Sequence, residues 1–202
     1  MPAVATSRPY HHGNLRAELL DHAERALERG GTNALSLREL AREAGVSHAA
    51  PRRHFADRQA LLDALAEAGF ERLGAALAGA VAGAPEDFAE RLIAVARVYV
   101  AFATEHAALL ELMFAAKHGS GDASELREAG TRAFAAPLAL VAEGQRTGDI
   151  VGGDLERVML AAWAPIHGIA TMASAGFLDD VDLMDTVGDL VRRLMLGLRP
   201  RR

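Results

Sequence analysis

Apolar residues return along this chain every three or four positions, the period of one helix face, and no long stretch alternates with period two. Leu15, Leu19, Ala23, Ala26 and Leu27 form the first stripe, and Gly30-Gly31 stops it. Ser36 precedes the next helix with Glu39 three residues on, the spacing of a capping box. Leu37, Leu40, Ala41 and Ala44 form the inner face of that short helix. Gly45 ends it, because glycine enters the left-handed conformation at low cost. Ser47 is placed to cap a third helix. Pro51 lies in the first turn or just past it and withholds one backbone bond, so an irregular start is expected. Asp57 then caps a long fourth helix over about 57–82.

Beyond Gly83-Ala84-Pro85 the stripes resume. Phe88, Leu92, Val95, Ala96, Tyr99, Phe102 and Ala103 share one face, and a shorter helix over 106–116 carries Leu109, Leu110, Met113 and Phe114. Gly119 to Gly121 reads as a loop. Residues 123–147 read as a single helix kinked at Pro137. Asp154 caps a helix that runs to Gly176, with Pro165 inside it. The last helix, about 180–198, has the most regular stripe, with acids near its start, arginines near its end, and Pro200 to stop it. The expectation is an all-α chain of about nine helices without strands or internal repeats. Residues 1–11 are expected to be a flexible tail, 12–58 a first domain and 59–202 a second.

Composition agrees with that reading. Half of the 202 residues are apolar, only 5% are aromatic, and alanine, the best helix former, recurs throughout. The absence of cysteine excludes disulfides, thiolate metal sites and cysteine nucleophiles. The first residues lack the pattern of a secretory signal, and no apolar run is long enough for a bilayer, so a cytoplasmic protein without a membrane is expected. The net charge of −5 is unevenly placed: residues 1–58 hold nine arginines against seven acids, and the rest of the chain is net −7. A basic end on an acidic body suits a polyanionic partner at that end.

The segment Ser36–Phe55, SLRELAREAGVSHAAPRRHF, reads as helix, tight glycine turn, helix. Two short helices crossing steeply in this way make a helix-turn-helix, whose second helix can enter a major groove. Ser47, His48, Ala49, Arg52 and Arg53 would face outward, and arginine can neutralise phosphate or fork onto a guanine edge. An ordinary helical hairpin with solvated arginines fits the same spacing.

Residues 12–62, HGNLRAELLDHAERALERGG followed by SLRELAREAGVSHAAPRRHFADRQALL, resemble the DNA-binding domain of the TetR family of transcriptional regulators. The resemblance implies a dimer that reads a palindromic double-stranded DNA site. It places Ser36, Ser47, His48, Ala49, Arg52, Arg53 and His54 toward DNA, with Arg58 on phosphate where the family usually has lysine. Arg52 stands where the family usually has tyrosine, so a packed ring with a hydroxyl is replaced by charge alone. Trp163-x-x-x-His167-Gly168, after Gly148-Asp149 and Gly153-Asp154, is similar to the effector domain of the subgroup called WHG, as is Phe102…His106…Leu109…Met113-Phe114. This implies a small-molecule pocket and a dimer face. The lining is expected among Phe88, Phe102, Met113, Phe114, Phe134 and Trp163, with Tyr99 or His167 as the polar point. The effector is expected to be small and apolar, and a repressor released by it is the expected function.

Trp163 and His167, four apart, share one helix face, and a pocket edge and a packed core pair fit that spacing equally. A homodimer is expected through 154–175 and 180–198, because the last stripe is broader than one core face and the helix before it is rich in small residues. No catalytic residue, cofactor or metal site is expected. There is no Glu-x-x-His, HExxH, GxGxxG, Walker A or GxSxG spacing, and His11-His12 is poor metal-ligand geometry. The competing function is a helical dimer that binds a ligand or a protein and has no DNA role.

Overall fold

A computed structural model describes residues 15–116 and 124–198, and in these every regular element is helical. In chain order they are α1 (Leu15–Gly30), α2 (Leu37–Glu43), α3 (Arg58–Gly83), α4 (Phe88–Glu105), α5 (Ala107–Ala116), α6 (Ser124–Ala133), α7 (Ala135–Thr147), α8 (Leu155–Ser174) and α9 (Leu183–Leu198). Two single 3-10 turns, Thr32–Ala34 and Pro51–Arg53, complete the set. The predicted tail at 1–11, His11-His12, the loop at 119–121 and the stop at Pro200 lie outside the described residues. No single helix among those described is long and apolar enough to cross a membrane.

The chain divides into two compact units, Met1–Leu65 and Ala66–Arg202, and the division falls inside α3. In the first unit α1 packs on α2 and on the turn before it. Leu19, Ala23 and Leu27 of α1 are buried, as are Leu35, Leu40, Ala41 and Phe55. In the second unit α4 packs against both α8 and α9, which also pack on each other, and against α5 and α7. Asp87, Asp154 and Asp182 each accept a backbone N–H from the first turn of α4, α8 and α9, satisfying donors that a helix start leaves unpaired. Only the Asp154 cap was expected for α8; Asp87 has the same residue type and offset and was not singled out.

Three expectations are corrected. The helix expected over 123–147 is two helices, broken at Phe134. Proline clashes with the carbonyl four residues before it, and four before Pro137 is Ala133, where α6 ends. The capping box at Ser36 is not made: Ser36 gives no side-chain bond to the helix start, and Glu39 is held by Arg42 instead. The third helix is absent as an α-helix, and its place is taken by the structure described next.

Candidate nucleic-acid interface and effector core

The first unit presents one cationic surface, built by the end of α2 and the chain after it. Gly45 has φ +67°, Gly45 N–H donates to Arg42 O at 3.2 Å, and Val46 N–H donates to Ala41 O at 2.9 Å. This is the glycine closure that satisfies the last carbonyls of a helix and turns the chain sharply. From Ser47 onward the bonds run mainly three residues back. Ala50 N–H donates to Ser47 O (2.9 Å), Arg53 N–H to Ala50 O (3.1 Å) and His54 N–H to Pro51 O (3.0 Å). An α-helix starting at Ser47 would need Pro51 to donate to the Ser47 carbonyl, and proline has no N–H. The carbonyl takes Ala50 instead, which tightens the segment into turns. Pro51 and Phe55 are buried and anchor it, with the Arg16 guanidinium 5.7 Å from the Phe55 ring centre.

Before and between these anchors Ser47, His48, Ala49, Arg52, Arg53 and His54 are all exposed, as the outward set requires. Arg38, which the sequence reading passed over, lines one open depression with Leu37, His48, Ala49 and Arg52. Its signal was available: it stands one residue inside α2, on the polar side of the stripe. Nearby acids are committed elsewhere. Glu43 pairs with His22 (3.3 Å) and Arg29 (3.2 Å) of α1, and Glu39 pairs with Arg42. The Arg42 hydrogen bond holds the Glu39 carboxyl below its usual range. Arg38, Arg52 and Arg53 make no ion pair or side-chain hydrogen bond among the described residues. Arg58 is different. Its Nε donates to Leu35 O at 3.1 Å and its Nη2 to Thr32 O, so it ties the start of α3 to the turn that leads into exposed Ser36.

The second unit gathers five of the eight expected effector residues. Tyr99 of α4 is fully buried, and its ring meets Trp163 of α8 edge-on at 4.0 Å between centres. Trp163 meets Phe134 at 4.5 Å, and Phe114 of α5 lies 5.2 Å from the His167 ring. The Tyr99 hydroxyl and His167 Nδ1 are 2.7 Å apart. Burial raises the Tyr99 pKa, so the phenol keeps its proton. The other three residues stand apart. Phe88 packs on Gly144 of α7, Phe102 on His106 with the Arg72 guanidinium 5.8 Å from its ring centre, and Met113 over Gly69. The cavity shares Trp163 with the aromatic cluster. It measures about 40 Å³, is almost wholly apolar, and is walled by α4, α7, α8 and α9 through Val95, Val141, Met159, Trp163, Ile166 and Met195, among others. Of the expected lining, Trp163 alone reaches it.

Exposed apolar residues occur on both segments of the expected dimer face. On α9 Val191, Leu194, Met195 and Leu198 wall the cavity, while Asp185, Asp189, Arg192, Arg193 and Leu196 face outward. Leu160 and Met172 of α8, Phe177 and Val181 of the turns after it, and Leu196 of α9 are exposed, with Ala161, Ala164 and Gly168 on the same side of α8 as Leu160.

Comparison with known proteins follows the same division. Residues 19–65 match the family described as bacterial regulatory proteins, tetR family, and residues 92–198 match the family described as Tetracyclin repressor-like, C-terminal domain. The chain belongs to the TetR family. TetR-family regulators bind DNA through the helix-turn-helix unit and small-molecule effectors through the helical unit that follows. A solved structure of a protein of unknown function from Rhodococcus sp. RHA1 is 50% identical, covering 96% of this chain and 100% of that one, with a TM-score of 0.88. A TetR family regulator from Marinobacter aquaeolei VT8 shares the fold at 18% identity and TM-score 0.74, covering 93% and 97% of the two chains. The transcriptional regulator FadR from Bacillus subtilis, solved in complex with stearoyl-CoA, shares it at 16% identity and TM-score 0.72, covering 91% and 100%. No curated protein sequence matches the chain.

Proposed function

We propose that this TetR-family chain is a cytoplasmic homodimeric repressor that leaves a palindromic operator when a small apolar effector binds its second unit. The observation that carries the DNA role is the exposed turn at Ser47–His54, where Arg52 and Arg53 lack carboxylate partners among the described residues and Arg38 stands beside Arg52. Unpaired cations on one surface release counterions when they meet phosphate, which is the source of affinity for the DNA backbone. Ser36 offers an exposed hydroxyl to the same backbone. Arg58 acts at one remove, by holding the carbonyls of Leu35 and Thr32. The exposed apolar side of α8 supports a two-fold face in which small residues let the copies approach closely.

The apolar cavity supports an apolar effector, and its size supports release. Ligand sites are usually about 300–1,000 Å³, against about 40 Å³ here. An effector of ordinary size therefore binds a state with this cavity enlarged, and a ligand that prefers one state shifts the population toward it. The protein has no catalytic role in this reading. Selection of genomic fragments by the purified protein, followed by footprinting with and without effector, tests it. A protected palindrome with two half-sites is expected. Failure to retain any fragment at low salt removes the DNA role and leaves a dimeric ligand- or protein-binding module.

A further inference from the structure

The aromatic cluster of the second unit has an unequal supply of hydrogen-bonding groups. Tyr99 is fully buried, and His167 Nδ1 is the one partner of its hydroxyl among the described residues. A buried O–H left undonated is costly, so the phenol donates and Nδ1 accepts. A neutral imidazole that accepts at Nδ1 carries its proton at Nε2. Burial keeps the phenol protonated, so its O–H is there to donate to the neutral imidazole. His167 Nε2 makes no hydrogen bond among the described residues, and neither does the indole N–H of Trp163, one turn earlier on α8. Both side chains are half-buried rather than sealed, and the walls beside them are the rings of Phe114, Phe134 and Tyr99. The cluster thus offers two N–H donors from one helix face and no free side-chain acceptor.

We propose that Tyr99 fixes His167 as an Nε2–H donor and that the effector carries an acyl oxygen, carbonyl or carboxylate, on its apolar body to accept from it. This rests on the effector reading above and adds the polar feature that the apolar cavity does not supply. Tyr99 is a positioning residue here, and His167 is the group that touches ligand. An imidazole with the opposite tautomer would present an acceptor at Nε2 and favour an alcohol or amine instead, so the Tyr99 bond decides the ligand class.

Two measurements on the full-length protein test this separately. The first is long-range proton–nitrogen correlation on protein labelled in its histidines, with His167 assigned by His167→Gln. Wild type is expected to show His167 protonated at Nε2, and Tyr99→Phe is expected to show a mixture of tautomers. Nδ1–H in wild type overturns the proposal and leaves the effector reading standing. The second is calorimetric titration with acetophenone, benzoate and α-methylstyrene, the last having the shape of acetophenone with =CH₂ in place of oxygen. Acetophenone or benzoate is expected to bind roughly five- to tenfold more tightly than α-methylstyrene, the difference one net hydrogen bond makes. His167→Phe is expected to abolish that preference with α-methylstyrene affinity retained. Equal binding of all three by wild type overturns the proposal. Binding of none, with the Nε2–H signal intact, removes both the effector reading at this site and the proposal built on it.

Discussion

Replacing Arg53 and Arg42 by alanine, one at a time, separates unpaired from paired cations in the DNA-facing unit. Arg53 is exposed and has no carboxylate partner among the described residues, whereas Arg42, also exposed, is bonded to Glu39. Each phosphate neutralised contributes a slope of about −0.9 to the logarithm of affinity against the logarithm of salt concentration. A dimer on a palindrome loses two such contacts per substitution, so Arg53→Ala should reduce the slope by about 1.8. Between 50 and 200 mM salt, a fourfold change, wild-type affinity should then fall about 12-fold further than that of Arg53→Ala. Arg42→Ala should move the slope by much less, because losing a cation already neutralised by Glu39 releases few counterions. Fluorescence anisotropy on the selected operator, at five or six salt concentrations, gives both slopes. Equal slope changes for the two variants, or none for Arg53→Ala, would refute the argument that ion pairing within the unit selects the DNA contacts. A loss of preference at one base pair with the slope unchanged would instead assign Arg53 to a base edge.

Three further outcomes are expected. Gly74 of α3 faces α6 so closely that an added Cβ would stand 2.9 Å from the Ala133 Cα, while Gly79 of the same helix has nothing within 4 Å. Gly79→Ala should therefore gain about 1 kcal/mol of helix propensity. Gly74→Ala sets the same gain against an overpacking cost of about 1–3 kcal/mol, and denaturant melts showing equal gains would sink the close-approach account. Glu143 is held below the usual carboxyl range by its hydrogen bond from Arg91, at 2.7 Å between α7 and α4. A lowered folded-state value means its contribution is complete above the ordinary carboxylate range and fades as pH falls through that lowered value, so Glu143→Gln should be less stable than wild type at pH 7 and converge with it in acid. Leu160→Glu, on the exposed side of α8, and Leu196→Glu, on the exposed side of α9, should each halve the mass seen by light scattering at micromolar concentration. An unchanged dimer mass for Leu160→Glu would place the two-fold face elsewhere.

Much of the helical order was legible because local chemistry decides it. Gly45 closes α2 with the left-handed φ the sequence implied, and Asp57 and Asp154 accept the backbone N–H groups expected of caps. The prolines were legible as disturbances, but not in what they produce. At Pro137 the clash falls on Ala133 and separates α6 from α7 rather than bending one helix. At Pro51 the missing N–H falls on the Ser47 carbonyl, and the segment resolves into turns because Ala50 reaches that carbonyl first. Pro165 has the same deficit, yet α8 runs unbroken from Leu155 to Ser174. The outcome depends on what else holds the chain at that point, and here α8 packs on α4, α7 and α9.

The effector unit shows where periodicity stops being informative. A stripe identifies residues that face inward, and Phe88, Phe102 and Met113 do so. It does not say which inward side chains touch one another or which gap stays empty, since those depend on helix crossings and on the room small residues leave. Phe88 is absorbed by the space over Gly144, and Met113 by that over Gly69. The cavity forms instead among Met159, Val141, Val191 and Met195, where the α9 stripe meets α7 and α8. The surplus apolar width of α9 is divided, with Val191, Leu194, Met195 and Leu198 on the cavity and Leu196 exposed. Trp163 is the side chain common to the two places, with Tyr99 and Phe134 against its ring and its own surface in the cavity lining. A ligand that enlarged the cavity by displacing this ring would move the group on which Tyr99 and Phe134 pack. Through Tyr99 that movement would bear on the Tyr99–His167 bond, and the expected outcome is that a ligand in the cavity shifts the His167 nitrogen signals.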